Sequence, residues 1–147
     1  MVRRATENDA EALAALNDAF NGAGETTLAA IRRSLADNPQ EVVVVDDEGG
    51  VIIGFVCVQL KKSFCYDAYM PEITEVYVRP EYRSRGVASR MIAFAEDYCR
   101  RNYPIHRYEL LTGADNRVAQ SLYRKLGYSD DGELHLSKRI RKQARPD

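Results

Sequence analysis

Residues 72–98 read EITEVYVRPEYRSRGVASRMIAFAEDY, an apolar, β-branched run that passes into a helix-like run through a junction of arginines around one glycine. A strand that feeds straight into a helix leaves several backbone N–H groups at the helix start without partners, and it aims the positive end of the helix dipole at the junction. Such a junction is an anion site, and Gly86 lets a phosphate approach the backbone where a Cβ would stand in the way. Arg83 and Arg85 add positive charge in a fork geometry suited to phosphate oxygens, and Ala88 and Ser89 keep the first helical turn small. On glycine and arginine alone a plainer reading stands beside this one, in which Gly86 starts a helix and the arginines are solvated surface.

Upstream, VRRAT reads as a short first strand, and Thr6 with Asp9 three residues on starts a helix that runs to about Phe20. Leu13, Leu16, Ala19 and Phe20 fall on one face of it. After NGAGETT, the run TLAAIRRSLADN is a second helix with Leu28, Ile31 and Leu35 aligned. From Gln40 the period changes to that of strands. EVVVV and VIIGFVCVQL pair across the loop DDEGG as an antiparallel hairpin, and KKSFCYDAYMP is a polar and aromatic loop before the strand at Glu72. Downstream come a helix from about Val87 to Asn102, the strand RYELLTG, the helix NRVAQSLYRKLG closed by Gly127, and a final strand GELHLSKRI. This order predicts an α/β fold with a mixed sheet in a single domain over residues 1–147, with a tail at 140–147 that frays.

The bulk numbers agree with a packed globule: 147 residues, 45% hydrophobic and 29% charged. A formal net charge of −1 argues against a dedicated nucleic-acid surface. No apolar run approaches the roughly 18 residues of a membrane span, and the N-terminus lacks the apolar stretch of a signal peptide, so a cytoplasmic location is the default expectation. Cys57, Cys65 and Cys99 show no pairing motif, and neither they nor His106 and His135 have metal-ligand spacing, so no metal is expected.

Arg83-x-x-Gly86-x-Ala88 resembles the (Q/R)-x-x-G-x-(G/A) signature of the GCN5-related N-acetyltransferases (GNAT family), and it stands between the fourth strand and the following helix as it does there. NRVAQSLYRKLGY, Asn116 to Tyr128, is similar to the family's second motif, N-x-x-A-x-x-x-Y with a Leu-Gly-aromatic ending. The resemblance covers most of the chain, strongly from about Val51 to Tyr128. It implies a GNAT-like fold, a central, mostly antiparallel sheet with one splayed strand pair and flanking helices. It further implies acetyl transfer from acetyl-CoA to an amine. By the same resemblance Arg83, Ser84, Arg85, Gly86, Val87, Ala88 and Ser89 bind the pyrophosphate of coenzyme A. Val76, Tyr77 and Val78 pair with its pantetheine arm, and Asn116 and Tyr123 lie across the gap.

Acetyl transfer requires a neutral amine, although an alkyl amine with a pKa of about 10.4 is mostly protonated at pH 7. It also requires a polarised carbonyl and a protonated or stabilised leaving thiolate. Two carboxylates on the fourth strand, Glu72 and Glu75, are candidates to take the amine's proton, as is a water chain. Glu72 sits eleven positions before Arg83, which matches the general base of the family's histone-acetylating members. The odd offset puts Glu72 and Glu75 on opposite faces of a regular strand, so only one reaches the cleft unless a bulge intervenes. Tyr123 matches the family's proton donor to the thiolate, beside the reading that it is an aromatic core residue near Val118, Leu122 and Leu126. An N–H around Val76 to Val78 takes the oxyanion.

The family's scaffold serves many amines. Phe64, Tyr66, Asp67 and Tyr69, in the loop before the fourth strand, are the expected acceptor contacts: rings for an apolar or sugar face, a carboxylate for a cation. They suit a small cationic amine such as an aminoglycoside or a polyamine. A protein or peptide amine, a non-catalytic acetyl-CoA sensor, and an RNA-backbone patch of Arg79, Arg83, Arg85 and Arg90 are the other readings, the last disfavoured by the near-neutral charge. No nucleic acid or membrane partner is expected, and a homodimer is open.

Overall fold

The computed structural model describes residues 1–140. Five strands, β1 (Val2–Arg4), β2 (Glu41–Glu48), β3 (Val51–Gln59), β4 (Glu72–Val78) and β5 (Glu109–Leu110), form one sheet in sequential order. The first four are antiparallel and β5 runs parallel to β4. Helices α1 (Ala10–Asn21) and α2 (Leu28–Ala36) cover one face. The long helix α3 (Val87–Asn102) covers the other, and α4 (Arg117–Lys125) lies at the β5 edge. Among the described residues no helix is long and apolar enough to cross a membrane.

The two faces follow from strand alternation. Val42, Val44, Val56, Val58, Ile73 and Val78 meet Val87, Met91, Ile92, Ala95 and Cys99 of α3 in the larger core. Val45 and Phe55 meet Leu13 and Leu16 of α1 in the smaller one. Each fully buried Val, Ile or Met stabilises by about 1.5–3 kcal/mol, so five buried side chains make α3 a rigid platform for the junction that precedes it.

One turn differs from expectation. DDEGG is not a five-residue loop: β2 continues through Glu48, and Gly49 and Gly50, at φ 62° and 94°, form a two-residue turn. Two successive positive-φ residues give the twist that antiparallel strands favour, and glycine adopts them without strain. The pairing register shifts beside it, at Asp46/Asp47. There the buried Asp46 carboxylate accepts from Arg90 and from the Met1 ammonium, each at 3.2 Å.

The strand expected over RYELLTG shrinks to Glu109–Leu110, because the chain leaves β4 after two paired residues. GELHLSKRI, expected as a final strand, forms none over 132–140, and Leu134 and Leu136 are each 86% exposed. Period-2 alternation marks a strand only where an edge is there to pair with it, and these residues meet none. The frayed tail expected at 140–147 falls, beyond Ile140, outside the described residues.

Candidate active site

β4 and β5 pair only at Glu72–Glu109 and Ile73–Leu110 and then part. Beyond them Thr74 to Val78 present an edge to a cleft of about 1130 Å³ rather than to a neighbouring strand. Its walls are β4, the junction residues Arg83, Ser84 and Gly86 to Ser89, the end of β5, and α4 with Asn116 and Tyr123. Ala19 and Phe20 at the end of α1 close one side. Phe20 stacks on Tyr77 at 5.2 Å between ring centroids, so α1 braces the strand at the cleft.

The junction folds as a cradle. Gly86 caps α3 in the left-handed region at φ 76°, and Ser84 also has a positive φ, 62°. A non-glycine residue at such an angle is strained and marks a backbone held by its surroundings. The holding contacts are visible. The Arg90 guanidinium donates to the Arg85 carbonyl at 3.0 Å while pairing with buried Asp46, and Arg83 Nε donates to the Val78 carbonyl at 2.9 Å. Arg90 N–H is the first to bond back, to the Gly86 carbonyl at 3.0 Å, so the amides of Val87, Ala88 and Ser89 are left to an outside acceptor. A Cβ on Gly86 meets no protein atom closer than 3.6 Å, so the space above it is open. These residues fit the diphosphate of coenzyme A in charge, open amides and free space. Arg85 does not line the cleft: its guanidinium sits over the Tyr82 ring, 5.6 Å from its centre.

The register of β4 shifts against β3 so that Cys57 faces Glu75 while Val58 faces Ile73. Thr74 is therefore a bulge. Glu72 faces Gln59 and Glu75 faces Cys57, so the extra residue cancels the odd offset and both carboxylates take the α1 side. Their surroundings differ. Glu72 lies outside the cleft, gripped by Lys61 at 2.9 Å; the same ammonium bonds Glu109 at 3.0 Å and so clamps the closed end of the strand pair. Glu75 lines the cleft, and burial raises its carboxyl above the usual range. Glu41, half-buried and accepting from Gln59 at 3.3 Å, is likewise raised by burial.

Tyr123 faces the cleft from α4, half-buried, and burial raises its phenol, which keeps the proton on it. Val118, expected beside it in the apolar stripe, is exposed. The Asn116 side chain caps α4, accepting from Ala119 N–H at 3.2 Å. A full capping motif ends the helix: Gly127 N–H bonds the Arg124 carbonyl and Tyr128 N–H the Tyr123 carbonyl, each at 3.0 Å.

Phe64, Tyr66, Asp67 and Tyr69, expected at the acceptor, do not line the cleft. Phe64 is 97% exposed, Asp67 is exposed, and Tyr66 stacks on His106. Tyr69 packs against Tyr103 and borders a separate depression with Lys61 and Lys62. The loop follows the closed end of the strand pair, where Tyr69 bridges Ile105, and this keeps it from the mouth. Sequence reasoning missed Phe20 as a cleft wall, the positive φ of Ser84, and the Arg90–Asp46 brace. Of these only Arg90 carried a signal, its place one turn into α3.

Comparison with known proteins agrees with this fold. Residues 10–128 match the family model described as the Acetyltransferase (GNAT) family. An uncharacterised N-acetyltransferase, YhfO, of Bacillus subtilis (strain 168) is 31% identical over 143 residues, covering 91% of this chain and 93% of that protein. The spermidine N(1)-acetyltransferase of Escherichia coli (strain K12) is 35% identical over 60 residues, 41% of this chain and 32% of its own. The structure of AAC(6')-Iy with the bisubstrate analogue CoA-S-monomethyl-acetylneamine superposes with a TM-score of 0.83 at 17% identity, covering 95% of this chain and 97% of that one, and this likeness is one of fold.

Proposed function

The chain belongs to the GNAT acetyltransferase family, and from that premise we propose that it transfers an acetyl group from acetyl-CoA to a primary amine of a small cationic molecule. The observation that carries the reading is the parted strand pair, with an anion cradle at one end of the cleft and Glu75 and Tyr123 on its walls. When bound, acetyl-CoA supplies an activated acyl group and a thiolate leaving group. The chain's own residues do the rest.

Arg83 and Ser84 with the amides at the start of α3 hold the diphosphate, and Val76 to Val78 offer an unpaired strand edge to the pantetheine arm. Glu75 takes the proton from the amine, directly or through one water; burial raises its carboxyl, which makes it a stronger base than an exposed one. Glu72, its charge already matched by Lys61, serves the framework instead. The Tyr123 phenol, protonated in its half-buried place, gives its proton to the leaving thiolate. An amide of β4 between Val76 and Val78 takes the oxyanion.

For the acceptor, the cleft is wide and the carboxylate within it favours a cation. The spermidine acetyltransferase and AAC(6')-Iy relatives support a small polyamine- or aminoglycoside-like substrate. The test is release of coenzyme A thiol against aminoglycosides, polyamines, amino acids and peptides. Turnover concentrated on polycationic small molecules is the expected result. Turnover only on peptides would overturn the acceptor class, and tight coenzyme A binding without turnover on any amine would overturn catalysis.

A further inference from the structure

Tyr128 stands one residue beyond the glycine that closes α4 and does not line the cleft, yet it grips a residue that does. Its N–H bonds the Tyr123 carbonyl at 3.0 Å, and its ring meets the Tyr123 ring edge-on, 6.3 Å between centroids at 66°. Its phenol reaches away from the cleft and donates to Glu96 Oε2 at 3.2 Å. Glu96 belongs to α3, the helix with five buried side chains, and its backbone carbonyl accepts from the Tyr108 phenol at 2.7 Å. One residue of the rigid helix thus gathers both the approach to β5 and the end of α4.

The rest of α4 is tied to the preceding loop rather than to the core, through the Gln120 amide, which donates to the Gly113 and Ala114 carbonyls at 2.8 and 2.9 Å. None of its residues is buried, and its first turn, Arg117 and Val118, is exposed. The position of the Tyr123 ring therefore depends on the helix's C-terminal end. Packing alone does not call for a hydroxyl there: a phenylalanine would fill the same space without placing a phenol and a carboxyl in a half-buried site.

We propose that Glu96 and Tyr128 are positioning residues, whose hydrogen bond sets the place of the Tyr123 phenol in the cleft. The proposal rests on the reading of Tyr123 as proton donor. Proton transfer is sensitive to such placement, since a displacement of about 1 Å costs up to about 10²-fold in rate.

The test uses the full chain with 3-fluorotyrosine placed at position 123 and steady-state kinetics well below the unfolding temperature. Tyr128→Phe keeps the ring contact and removes the hydrogen bond. It is expected to shift or broaden the fluorine resonance and to lower kcat about ten- to a hundred-fold, with KM for acetyl-CoA within about twofold. Glu96→Leu is expected to match it, and the double variant to be no worse than either single one. Glu96→Gln, which keeps an acceptor, is expected to restore both signals. An unmoved fluorine resonance overturns the proposal, whatever kcat does. A moved resonance with unchanged kcat leaves the positioning role standing and overturns Tyr123 as the proton donor.

Discussion

Gly86→Ala separates two ways in which the cradle depends on glycine. At φ 76° a residue with a Cβ pays a penalty of about 1–2 kcal/mol, while the added Cβ itself meets only Arg90 Nη1 at an ordinary 3.6 Å. The substitution therefore leaves packing intact and strains the backbone. If the free junction relaxes to escape the strain, the binding-competent form becomes a minor state, and 1–2 kcal/mol corresponds to about a 5- to 30-fold loss of affinity for coenzyme A. The Cβ also stands in the open space above the amides, which adds a steric loss. Gly86→Asn divides the two, because asparagine tolerates the left-handed region and carries the obstruction with less strain. The assay is calorimetric titration with coenzyme A beside thermal unfolding. The expected result is at least tenfold weaker binding for Gly86→Ala, a smaller loss for Gly86→Asn, and a melting point lowered by only a few degrees. Affinity within twofold for both variants would refute the cradle.

The remaining expectations concern the walls of the cleft. Tyr123→Phe lowers kcat roughly 10²–10⁴-fold with little change in KM for acetyl-CoA, and a kcat within a factor of two would return Tyr123 to the core. Glu75→Gln lowers kcat/KM by a similar factor and removes an acid limb lying above the usual carboxylate range, whereas Glu72→Gln stays within about threefold; the opposite ranking in a pH–rate series would make Glu72 the base. Glu41, raised by burial, binds its proton more tightly folded than unfolded, so its contribution is fully present below the unfolded pKa and is lost as pH rises through the folded one. Glu41→Gln should therefore raise the urea midpoint at pH 7.5 and not at pH 4, and an equal shift at both pH values would contradict the assignment.

The junction and α3 were legible because their signals are dense and local: a β-branched run, one glycine, and an apolar stripe from Val87 to Cys99 within 28 consecutive residues. What lay beyond reading was set by pairing. The Thr74 bulge exists only relative to β3, and it alone brings Glu72 and Glu75 to one side. Lys61 reaches Glu109 across 48 positions, a contact no spacing rule foresees, and that contact distinguishes the two carboxylates. Ser84 adopts a glycine-like angle because Arg83 and Arg90 pin the backbone around it. The exposed Leu134 and Leu136 show the converse, a pattern with strand alternation and no partner to realise it.

The two-residue ladder between β4 and β5, with a helix behind it none of whose residues is fully buried, makes the segment from Leu111 to Leu122, between the anchors at Tyr108 and Tyr128, the weakest-held part of the cleft. Amides there should exchange with solvent through local opening, well before those of β2, β3 or α3. A ligand that touches both α3 and α4 bridges the firm part of the molecule to the loose one. At a hundred times its dissociation constant such a ligand adds about 2.7 kcal/mol against any opening that releases it, roughly a hundredfold slower exchange across α4. On the proposed function the donor site doubles as a clasp, and the amine is expected to meet a finished second wall only after coenzyme A has closed it.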